Sequence, residues 1–500
     1  MAAHRRHAAR WRRVRLLVPA AVVSLSTTFG ACESAPRTLA PSSPAGPISG
    51  SLAARTARLG RGVSRENENL RLLTQLPGYG GQYYDGDGNL NVYVVDPTRS
   101  AKAIELFTPI LKAHRRGGRG HLIVRPGLYD IGQLQDWFHR VMAGASRIPE
   151  LVWVGVDQAH NRLELAIDKA RESQGRSNVA RLLSATGIPS QAVIVDATKP
   201  IESLVRVEPT PRRSRRSSVL PMDTLADSLG SLFKNPMGGI LISYQDSASD
   251  STFYCTLGIA VTDYATGVTG FLTASHCSYT EGALDGVQFY QPNSNFMVPL
   301  GPEYLDPASM TGTGLPACPY LTEMDNDECR WSDVDMIAPI SSYYTINLGL
   351  IARTTFPAAG PGGVGSLAID SANPNFVITD DCWEDTTYLQ VGDTVQKVGA
   401  TSGWTSGPIT MLGVSAKESN GTWLIFQDMA AMGVKDGDSG APVFVLLGGN
   451  SVDYYGQLWG ITDDTIADYS DCGSFIDDVG DNTPWPYVPL FIYYPGESPI

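Results

Sequence analysis

Apolar residues recur with two different spacings along this chain, and the change of spacing separates two regions. Within residues 80–200, apolar side chains follow the helical repeat over residues 101–113 and 131–142. Residues 90–95 are strand-like, and residues 151–167 alternate between apolar and polar positions as a hairpin does. This mixture predicts a small α/β module.

From residue 238 onward the pattern indicates strands alone. Short runs rich in β-branched and aromatic residues recur between turns, and no long amphipathic helix is visible. The clearest runs are residues 240–244, 257–261, 270–274, 395–398, 423–427, 443–447 and 457–461. The pattern predicts an all-β domain over residues 238–484, built as an antiparallel barrel or a pair of sandwiches. Residues 485–500, rich in proline and tyrosine, are interpreted as a C-terminal tail.

Composition supports several domains joined by linkers. The chain has 500 residues, and its 51 glycines and 33 prolines favour turns and short strands over long helices. Residues 33–79 predict a flexible linker, with helical spacing only near residues 65–73. Residues 201–237 contain a basic stretch rich in proline and serine at 209–217, which we interpret as an exposed processing linker. A linker that is never cut is the alternative.

Residues 1–32 have the pattern of an export signal. A basic segment precedes a mostly apolar stretch over residues 16–31, which is too short to span a membrane comfortably. Cys32 follows Gly-Ala and so resembles the site at which bacterial lipoproteins are cleaved and lipidated. We therefore expect a secreted, extracellular protein and leave open a lipid anchor on Cys32 at the cell surface. A membrane is expected as a partner only through that anchor.

The net charge of −13 conceals an opposition between two parts of the chain. Residues 238–500 hold 5 basic and 32 acidic residues, a net charge of −27, so the first 237 residues carry +14. Charges of opposite sign predict that the two parts attract each other. The acidic part does not suit nucleic acid as a partner, because phosphate binding requires lysine and arginine.

A serine bracketed by glycines is the first candidate for chemistry. Residues 437–442 read GDSGAP and lead into the apolar run 443–447. Glycines let the backbone turn sharply and leave N–H groups near Ser439 free to stabilise an oxyanion. A serine hydroxyl needs a nearby base before it becomes a nucleophile, and a plain turn that opens a core strand is the alternative.

The base and its orienting acid can be nominated from the same region. His276 is the one histidine after residue 238, and the run at residues 270–274 predicts the strand that delivers it. Asp333 stands just before an apolar run, where a buried carboxylate can hold an imidazole. Asp335 could do the same from two residues later, and we prefer Asp333.

The order of these residues disfavours one protein family and indicates another. The order His, Asp, Ser differs from the Ser, Asp, His order of α/β-hydrolases, and Ala441 replaces the second glycine of their nucleophile turn. Together, TASHC at 273–277, SDV at 332–334 and GDSGAP at 437–442 resemble the three motifs of chymotrypsin-like serine proteases. Residues 395–407 resemble a glycine- and threonine-rich segment of the secreted bacterial branch, which includes streptogrisin-type enzymes. The preceding module is similar in kind to their pro-regions.

The resemblance covers about half of the chain, residues 238–480, and implies a fold and a mechanism. The fold would be two antiparallel six-stranded β-barrels, with the catalytic residues in the cleft between them. His276 would take the proton from Ser439, and Asp333 would hold the imidazole. The N–H groups of Gly437 and Ser439 would form the oxyanion hole. No cofactor is implied.

Seven cysteines suit an exported protein, in which disulfides persist. The resemblance and the remaining residues suggest the pairs Cys255–Cys277, Cys318–Cys329 and Cys382–Cys472. The first matches the family's bridge beside the histidine, and the second closes a short loop that leads to Asp333. The third is the pair that remains, and it has no counterpart in the family.

Substrate preference and metal binding are left open by the sequence. Position 433, six residues before the serine, is glycine, so the acid that selects basic side chains in trypsin-like enzymes is absent there. Asp463 or Asp464 could favour basic residues instead. Asp438 needs a cationic partner in an active member of the family, and we weigh Lys397 or an arginine against a new α-amine. The spacing of the acidic residues fits no EF-hand, so we predict no metal site and prefer solvated acidic loops to calcium.

We therefore expect a secreted serine endopeptidase, made as a precursor, that hydrolyses protein or peptide substrates through an acyl-enzyme. Residues 80–200 are expected to assist folding and to inhibit the enzyme from within the chain until the linker near residues 212–216 is cut. A non-catalytic surface protein that uses a protease-like fold for binding is the alternative. The complete set of His276, Asp333 and Ser439 argues against that alternative.

Overall fold

A computed structural model describes most of the chain from residue 61 onward. The described residues are 61–114, 120–209, 228–246, 248–263, 266–292, 298–311, 328–339, 343–381, 389–462, 466–471 and 490–491. The predicted export signal with Cys32, and the basic residues 212–216, lie outside them. Among the described helices, none has both the length and the apolar character needed to cross a membrane.

The N-terminal module combines helices with two small groups of strands. Its helices are α1 (Arg61–Gln75), α2 (Ser100–Ala113), α3 (Ile131–Met142) and α4 (Glu172–Thr186). Its strands are β1 (Tyr79–Tyr84), β2 (Leu90–Val94), β3 (Leu122–Pro126), β4 (Leu151–Asp157), β5 (Arg162–Asp168) and β6 (Val193–Thr198). Strand β2 lies between β1 and β3, and β5 lies between β4 and β6. The predicted α/β module is confirmed.

Local sequence explains why α3 begins and packs where it does. The carboxylate of Asp130 accepts the N–H of Gln133, and the side chain of Gln133 accepts the N–H of Asp130, which forms a capping box. The apolar face then buries Leu134, Phe138 and Val141. Helix α3 therefore has the bounds that its apolar spacing predicted.

Two stretches interpreted as linkers contain regular structure. Helix α1 lies within residues 33–79. Leu72 in this helix and Leu76 just after it are buried in the apolar cluster of the module. Strands β7 (Glu202–Ser203) and β8 (Arg206–Pro209) lie within residues 201–237. The helical spacing near residues 65–73 corresponds to α1, whereas the linker interpretation was wrong for the residues of β7 and β8. Their polar composition hid the pairing, because the partners of a short strand are remote in sequence.

The strands of the second region alternate with turns as predicted. They are β9 (Leu241–Asp246), β10 (Ser251–Thr256), β11 (Ala260–Asp263), β12 (Thr269–Thr273), β13 (Gln288–Tyr290), β14 (Pro299–Leu305), β15 (Met310–Thr311), β16 (Glu328–Arg330), β17 (Asp335–Ile337), β18 (Leu350–Ala352), β19 (Ala358–Ala359), β20 (Asn375–Asp381), β21 (Thr394–Gly399), β22 (Gly403–Lys417), β23 (Trp423–Ala430), β24 (Pro442–Gly448), β25 (Ser451–Thr462), β26 (Ile466–Asp471) and β27 (Leu490–Phe491). Short 3₁₀ turns cover Pro97–Arg99, Ala145–Arg147, Lys169–Arg171, Ser190–Ala192 and Ser275–Cys277. Strand β27, from the predicted tail, pairs with β11.

Two rings of antiparallel strands form the second region: pairing closes the second all the way round, whereas the first closes where β10 continues along the chain into β11. In the first ring, β9 pairs with β10, and the same stretch of chain continues as β11, which pairs with β12. The ring then runs through β17, β14 and β13 and returns to β9. In the second ring, β21, β22, β23, β26, β25 and β24 pair in that order, and β24 closes the ring onto β21. The predicted pair of six-stranded barrels is confirmed.

The module is joined to the second barrel by strand pairing and by buried charge. Strand β4 extends the sheet at β22, with Val154 opposite Ser415. The Arg65 guanidinium donates to the Asp428 carboxylate over 3.0 Å, and His114 lies 2.9 Å from the carboxylate of Asp393. These contacts join a basic side chain of the module to an acidic one of the barrel. The Arg65–Asp428 pair agrees with the attraction predicted from the opposite net charges.

Candidate active site

His276 is held at the end of a strand by a disulfide. Strand β12 runs into Ala274, and a 3₁₀ turn over Ser275–Cys277 presents the imidazole. Cys277 is bonded to Cys255, near the end of β10, with a Cα–Cα distance of 6.4 Å. The structure thus contains the expected first bridge, and it fixes the backbone beside His276 to a neighbouring strand.

Asp333 contacts the imidazole from the segment just before β17, the strand that pairs with β12 in the same ring. One carboxylate oxygen accepts the backbone N–H of His276 at 3.1 Å, and the other is hydrogen-bonded to the imidazole Nδ1. Burial alone raises the pKa of Asp333, but the charge of His276 and these hydrogen bonds outweigh it and hold the pKa below its usual range. The carboxylate is therefore ionised at neutral pH.

Asp335, the alternative acid, has a different environment. It is fully buried in β17, and within the described part of the chain neither carboxylate oxygen has a hydrogen-bond partner. Burial and the nearby Asp306 and Glu303 raise its pKa well above the ordinary value. Asp333, and not Asp335, is the carboxylate that contacts His276.

Ser439 completes the arrangement from the second barrel. It lies in the turn before β24, and its Oγ is 2.6 Å from the Nε2 of His276. The flanking Gly437 and Gly440 have φ values of +97° and +88°, which other residues rarely adopt. A Cβ on Gly440 would lie 2.2 Å from the carbonyl oxygen of Thr256. The glycines are therefore required by backbone geometry, as the sequence suggested.

The protonation of His276 follows from its two contacts. Burial by itself lowers the pKa of His276, but the Asp333 charge and hydrogen bond raise it more, so the pKa stays above the ordinary value. With Nδ1–H directed at the carboxylate, the neutral imidazole presents its lone pair on Nε2 to the Ser439 hydroxyl. This is the tautomer that can accept a proton from a serine.

The cationic partner of Asp438, left open by the sequence, is Lys397. The Lys397 ammonium donates to a carboxylate oxygen of Asp438 over 2.9 Å, and both side chains are fully buried. The backbone N–H groups of Thr401 and Ser402 each donate to the other oxygen at 3.0 Å. These bonds hold the turn that carries Gly437 and its N–H.

The Gly437 N–H already has an acceptor. It donates to the backbone carbonyl of Leu204 over 2.5 Å. Leu204 follows β7, in a stretch that the sequence gave no reason to place in this cleft. The second predicted donor of an oxyanion hole, the Ser439 N–H, stays a prediction.

A further acidic side chain near the imidazole was not foreseen. The carboxylate of Glu418 lies within 4.8 Å of ligand atoms of both His276 and Asp333. Burial, and the nearby Glu281 and Asp333, raise the pKa of Glu418 well above its usual value, which favours the neutral form of the group. The three residues together could hold a metal ion by distance, but both nitrogens of His276 are engaged by Asp333 and Ser439. Nothing in the residues around Glu418 distinguishes it in the sequence from a surface acid.

Several predicted residues remain to be placed. Cys329 is disulfide-bonded, but its expected partner Cys318 lies outside the described residues, as do Cys382 and Cys472. Asp463 and Asp464 lie outside them as well. Gly433 packs so closely that a Cβ would lie 1.8 Å from the carbonyl oxygen of Gly363. No side chain at position 433 can therefore select a substrate in this conformation.

Comparison with known proteins finds solved structures that resemble part of this chain at low sequence identity. No protein-family model matches the sequence, and no curated protein matches it. A Nocardiopsis protease is 15% identical, covering 49% of this chain and 95% of its own, with a TM-score of 0.30. A glutamic acid-specific serine protease is 16% identical, covering 52% and 100%, with a TM-score of 0.33. A chymotrypsin from Cellulomonas bogoriensis is 17% identical, covering 52% and 98%, with a TM-score of 0.29.

Proposed function

We propose that this protein is a serine endopeptidase that hydrolyses peptide bonds of protein or peptide substrates. The observation that carries the proposal is the contact of His276 with Asp333 through Nδ1 and with Ser439 through Nε2. The two contacts join residues from both barrels in one cleft. No cofactor enters the reaction.

The proposed chemistry follows from these atoms. His276 accepts the Ser439 proton as Oγ attacks the substrate carbonyl, and it later delivers the proton to the leaving amine. Asp333, held ionised, stabilises the imidazolium that forms between these steps. The N–H of Gly437 stabilises the negative oxygen of the tetrahedral intermediate, together with the N–H of Ser439. Water then hydrolyses the acyl-enzyme.

The protein is proposed to be made as an exported precursor in which the N-terminal module restrains the enzyme. The pairing of β4 with β22 and the buried Arg65–Asp428 contact support that role. The basic and apolar sequence of residues 1–32 supports export, and Cys32 would carry a lipid anchor if the exported protein is retained at the surface.

Labelling with a fluorophosphonate probe tests the enzymatic proposal. Processed wild-type protein is expected to be labelled on Ser439, and the label should disappear in Ser439→Ala and in His276→Ala. The His276→Ala variant keeps the nucleophile and loses only its base, so it separates activation of the serine from simple exposure. Folded, processed protein that has been separated from its module and still takes up no label would instead favour a binding protein with a protease-like fold.

A further inference from the structure

The stretch that leaves the module crosses the cleft in an extended conformation. On one side of the cleft, β7 pairs antiparallel with β25, and Ser203 lies opposite Gly460. On the other side, β8 pairs antiparallel with β10, and Arg206 lies opposite Tyr254. The chain between these strands is therefore held from both barrels at once.

Leu204 lies at the centre of this crossing. Its N–H donates to the carbonyl oxygen of Trp459, over 3.4 Å, and its own carbonyl oxygen accepts the N–H of Gly437 at 2.5 Å. Gly437 and Ser439 belong to the same turn, and Ser439 contacts the imidazole. The Leu204 carbonyl thus occupies the position at which the proposed donor would meet the oxygen of a reacting carbonyl.

The side chains on either side of the next peptide bond pack into different barrels. Leu204 is 1% exposed and belongs to the apolar cluster of the second barrel, with Met432 and Val434. Val205 packs against a different cluster, which contains Cys255 and most of the buried apolar residues of the first barrel. The peptide bond between Leu204 and Val205 therefore spans the cleft in which Ser439 lies.

The same stretch closes the cleft to other molecules. Ser439 is fully buried, although its hydroxyl is directed at a base. Ile201 is 1% exposed and fits over Gly460, where a Cβ would lie 2.9 Å from the isoleucine Cγ2. A substrate from solution would have to displace these residues before it could reach the serine.

We infer that Leu204–Val205 is an internal substrate bond, cut by Ser439 of the same chain, and that the enzyme cleaves after apolar residues such as leucine. The inference rests on the proposed function. Ser439 Oγ bonds to the Leu204 carbonyl carbon, the C–N bond to Val205 breaks, and His276 passes the serine proton to the Val205 amine. Water then releases Leu204 as a carboxylate and restores the serine hydroxyl.

This processing site differs from the one predicted in the basic linker. The buried apolar cluster that contains Leu204, Met432 and Val434 disfavours a charged side chain at position 204, because an unpaired guanidinium would lose its hydration there. The module would end at Leu204 after the cut, and its last residues would keep their pairing with β25. The product can therefore remain in the cleft as an inhibitor, and the freed enzyme would begin at Val205.

The full-length chain and its Ser439→Ala variant provide the first test. Intact mass and N-terminal sequencing of the wild-type protein are expected to give fragments that end at Leu204 and begin at Val205. The Ser439→Ala variant should stay uncut. Because the bond lies within its own active site, the rate of cleavage should not change when the protein is diluted a hundredfold or so.

Two variants of the crossing stretch provide the matched comparison. Leu204→Asp should slow the cut by about 100-fold or more, since a carboxylate does not fit the apolar pocket. Val207→Asp, at a side chain that is 52% exposed in the same stretch, should cut at the wild-type rate. Leu204→Asp should also open the cleft, so that Ser439 of the uncut chain is labelled by a fluorophosphonate. That label would show that the variant is folded.

Each other outcome has a defined meaning. A cut that depends on Ser439 but falls within residues 212–216 would overturn the inference and leave the proposed function intact. An uncut wild-type chain beside a labelled Leu204→Asp variant would make the stretch an inhibitor and not a substrate, which also overturns it. An uncut wild type with no label on either protein would reject the proposed function itself.

Discussion

Lys397 donates to Asp438 from a fully buried ammonium group, and this pair holds the turn that carries Gly437 and Ser439. The carboxylate therefore has its cation inside the same barrel, on β21. A new α-amine created by cleavage is not needed to form the turn. We expect activation of the proposed precursor to depend on emptying the cleft and not on inserting a new N-terminus.

Replacing Lys397 with methionine tests this relationship. Removal of one member of a buried pair leaves an uncompensated charge, which typically costs about 3–5 kcal/mol of stability. We expect Lys397→Met to lose about 10²–10³-fold in kcat/KM because the Gly437 N–H is displaced. Lys435→Met is the control, because Lys435 is an exposed lysine three residues before Asp438, and this variant should keep its activity. Wild-type kinetics in Lys397→Met would show that the turn forms without the pair.

A methyl group at Gly437 should reduce turnover. The residue has a φ of +97°, and a Cβ there would lie 2.5 Å from the Oγ1 of Thr401. Gly437→Ala is expected to lower kcat by about 10²–10³-fold, as loss of one oxyanion donor does. Gly421→Ala is the matched control, since its φ is +104° but no atom lies within 4 Å of the added Cβ. Equal activity of the two variants would remove Gly437 from the proposed mechanism.

The dependence of activity on pH should follow the Asp333–His276 contact. The base must be neutral, so kcat/KM of processed enzyme should fall as the pH drops below the raised pKa of His276. Asp333→Asn removes the charge that raises this pKa and leaves burial, which lowers it, so the acidic limb should move to lower pH. The variant should also lose about 10⁴-fold in kcat because the imidazole is no longer held in the required tautomer. An acidic limb at the wild-type position would contradict this account.

Asp335→Asn should behave differently from Asp333→Asn. The Asp335 carboxyl is buried, and its burial beside Asp306 and Glu303 raises its pKa well above the ordinary value, which favours the neutral form. A neutral amide of the same shape should therefore keep kcat within about threefold, since it removes no buried charge. Steady-state kinetics of the two variants side by side decide between the acids. A loss in Asp335→Asn as large as that in Asp333→Asn would reject the assignment.

Arg65 should determine how firmly the module stays bound after the cut. It donates to the buried Asp428 over 3.0 Å and to the Tyr455 hydroxyl over 3.2 Å. Losing one partner of such a pair costs about 2–5 kcal/mol, so Arg65→Gln should weaken retention of the cleaved module by at least about 30-fold. Gel filtration of cut protein measures the release. Arg71→Gln, at an exposed arginine of the same helix, should not change it.

Local sequence was sufficient for much of the fold. The capping box and apolar face of α3 are complete within a dozen residues, and so the helix has the predicted bounds. The strand before His276 and the turn formed by the glycines around Ser439 likewise follow from residues that are adjacent in sequence. Such features depend on contacts between neighbours in the chain, and pattern alone identifies them.

Other features depended on residues that meet only in the folded chain. The linker residues that form β7 and β8 looked polar and unstructured, because their partners β25 and β10 are remote in sequence. Glu418 has the residue type of a surface acid, and only the fold buries it beside the imidazole, where its pKa is raised well above the usual value. The pairing of Asp438 with Lys397, and not with an arginine or a new amine, was decided in the same way.

The sequence by itself determined which residues carry the proposed chemistry, because His276, Asp333 and Ser439 stand in short motifs whose local geometry is encoded beside them. The tertiary structure decided what fills the site. Leu204 is remote from Gly437 in sequence, and its carbonyl reaches the Gly437 N–H because β7 pairs with the second barrel and β8 with the first. Pairing of that kind leaves no local pattern, since backbone hydrogen bonds to a remote strand do not depend on the identity of the side chains.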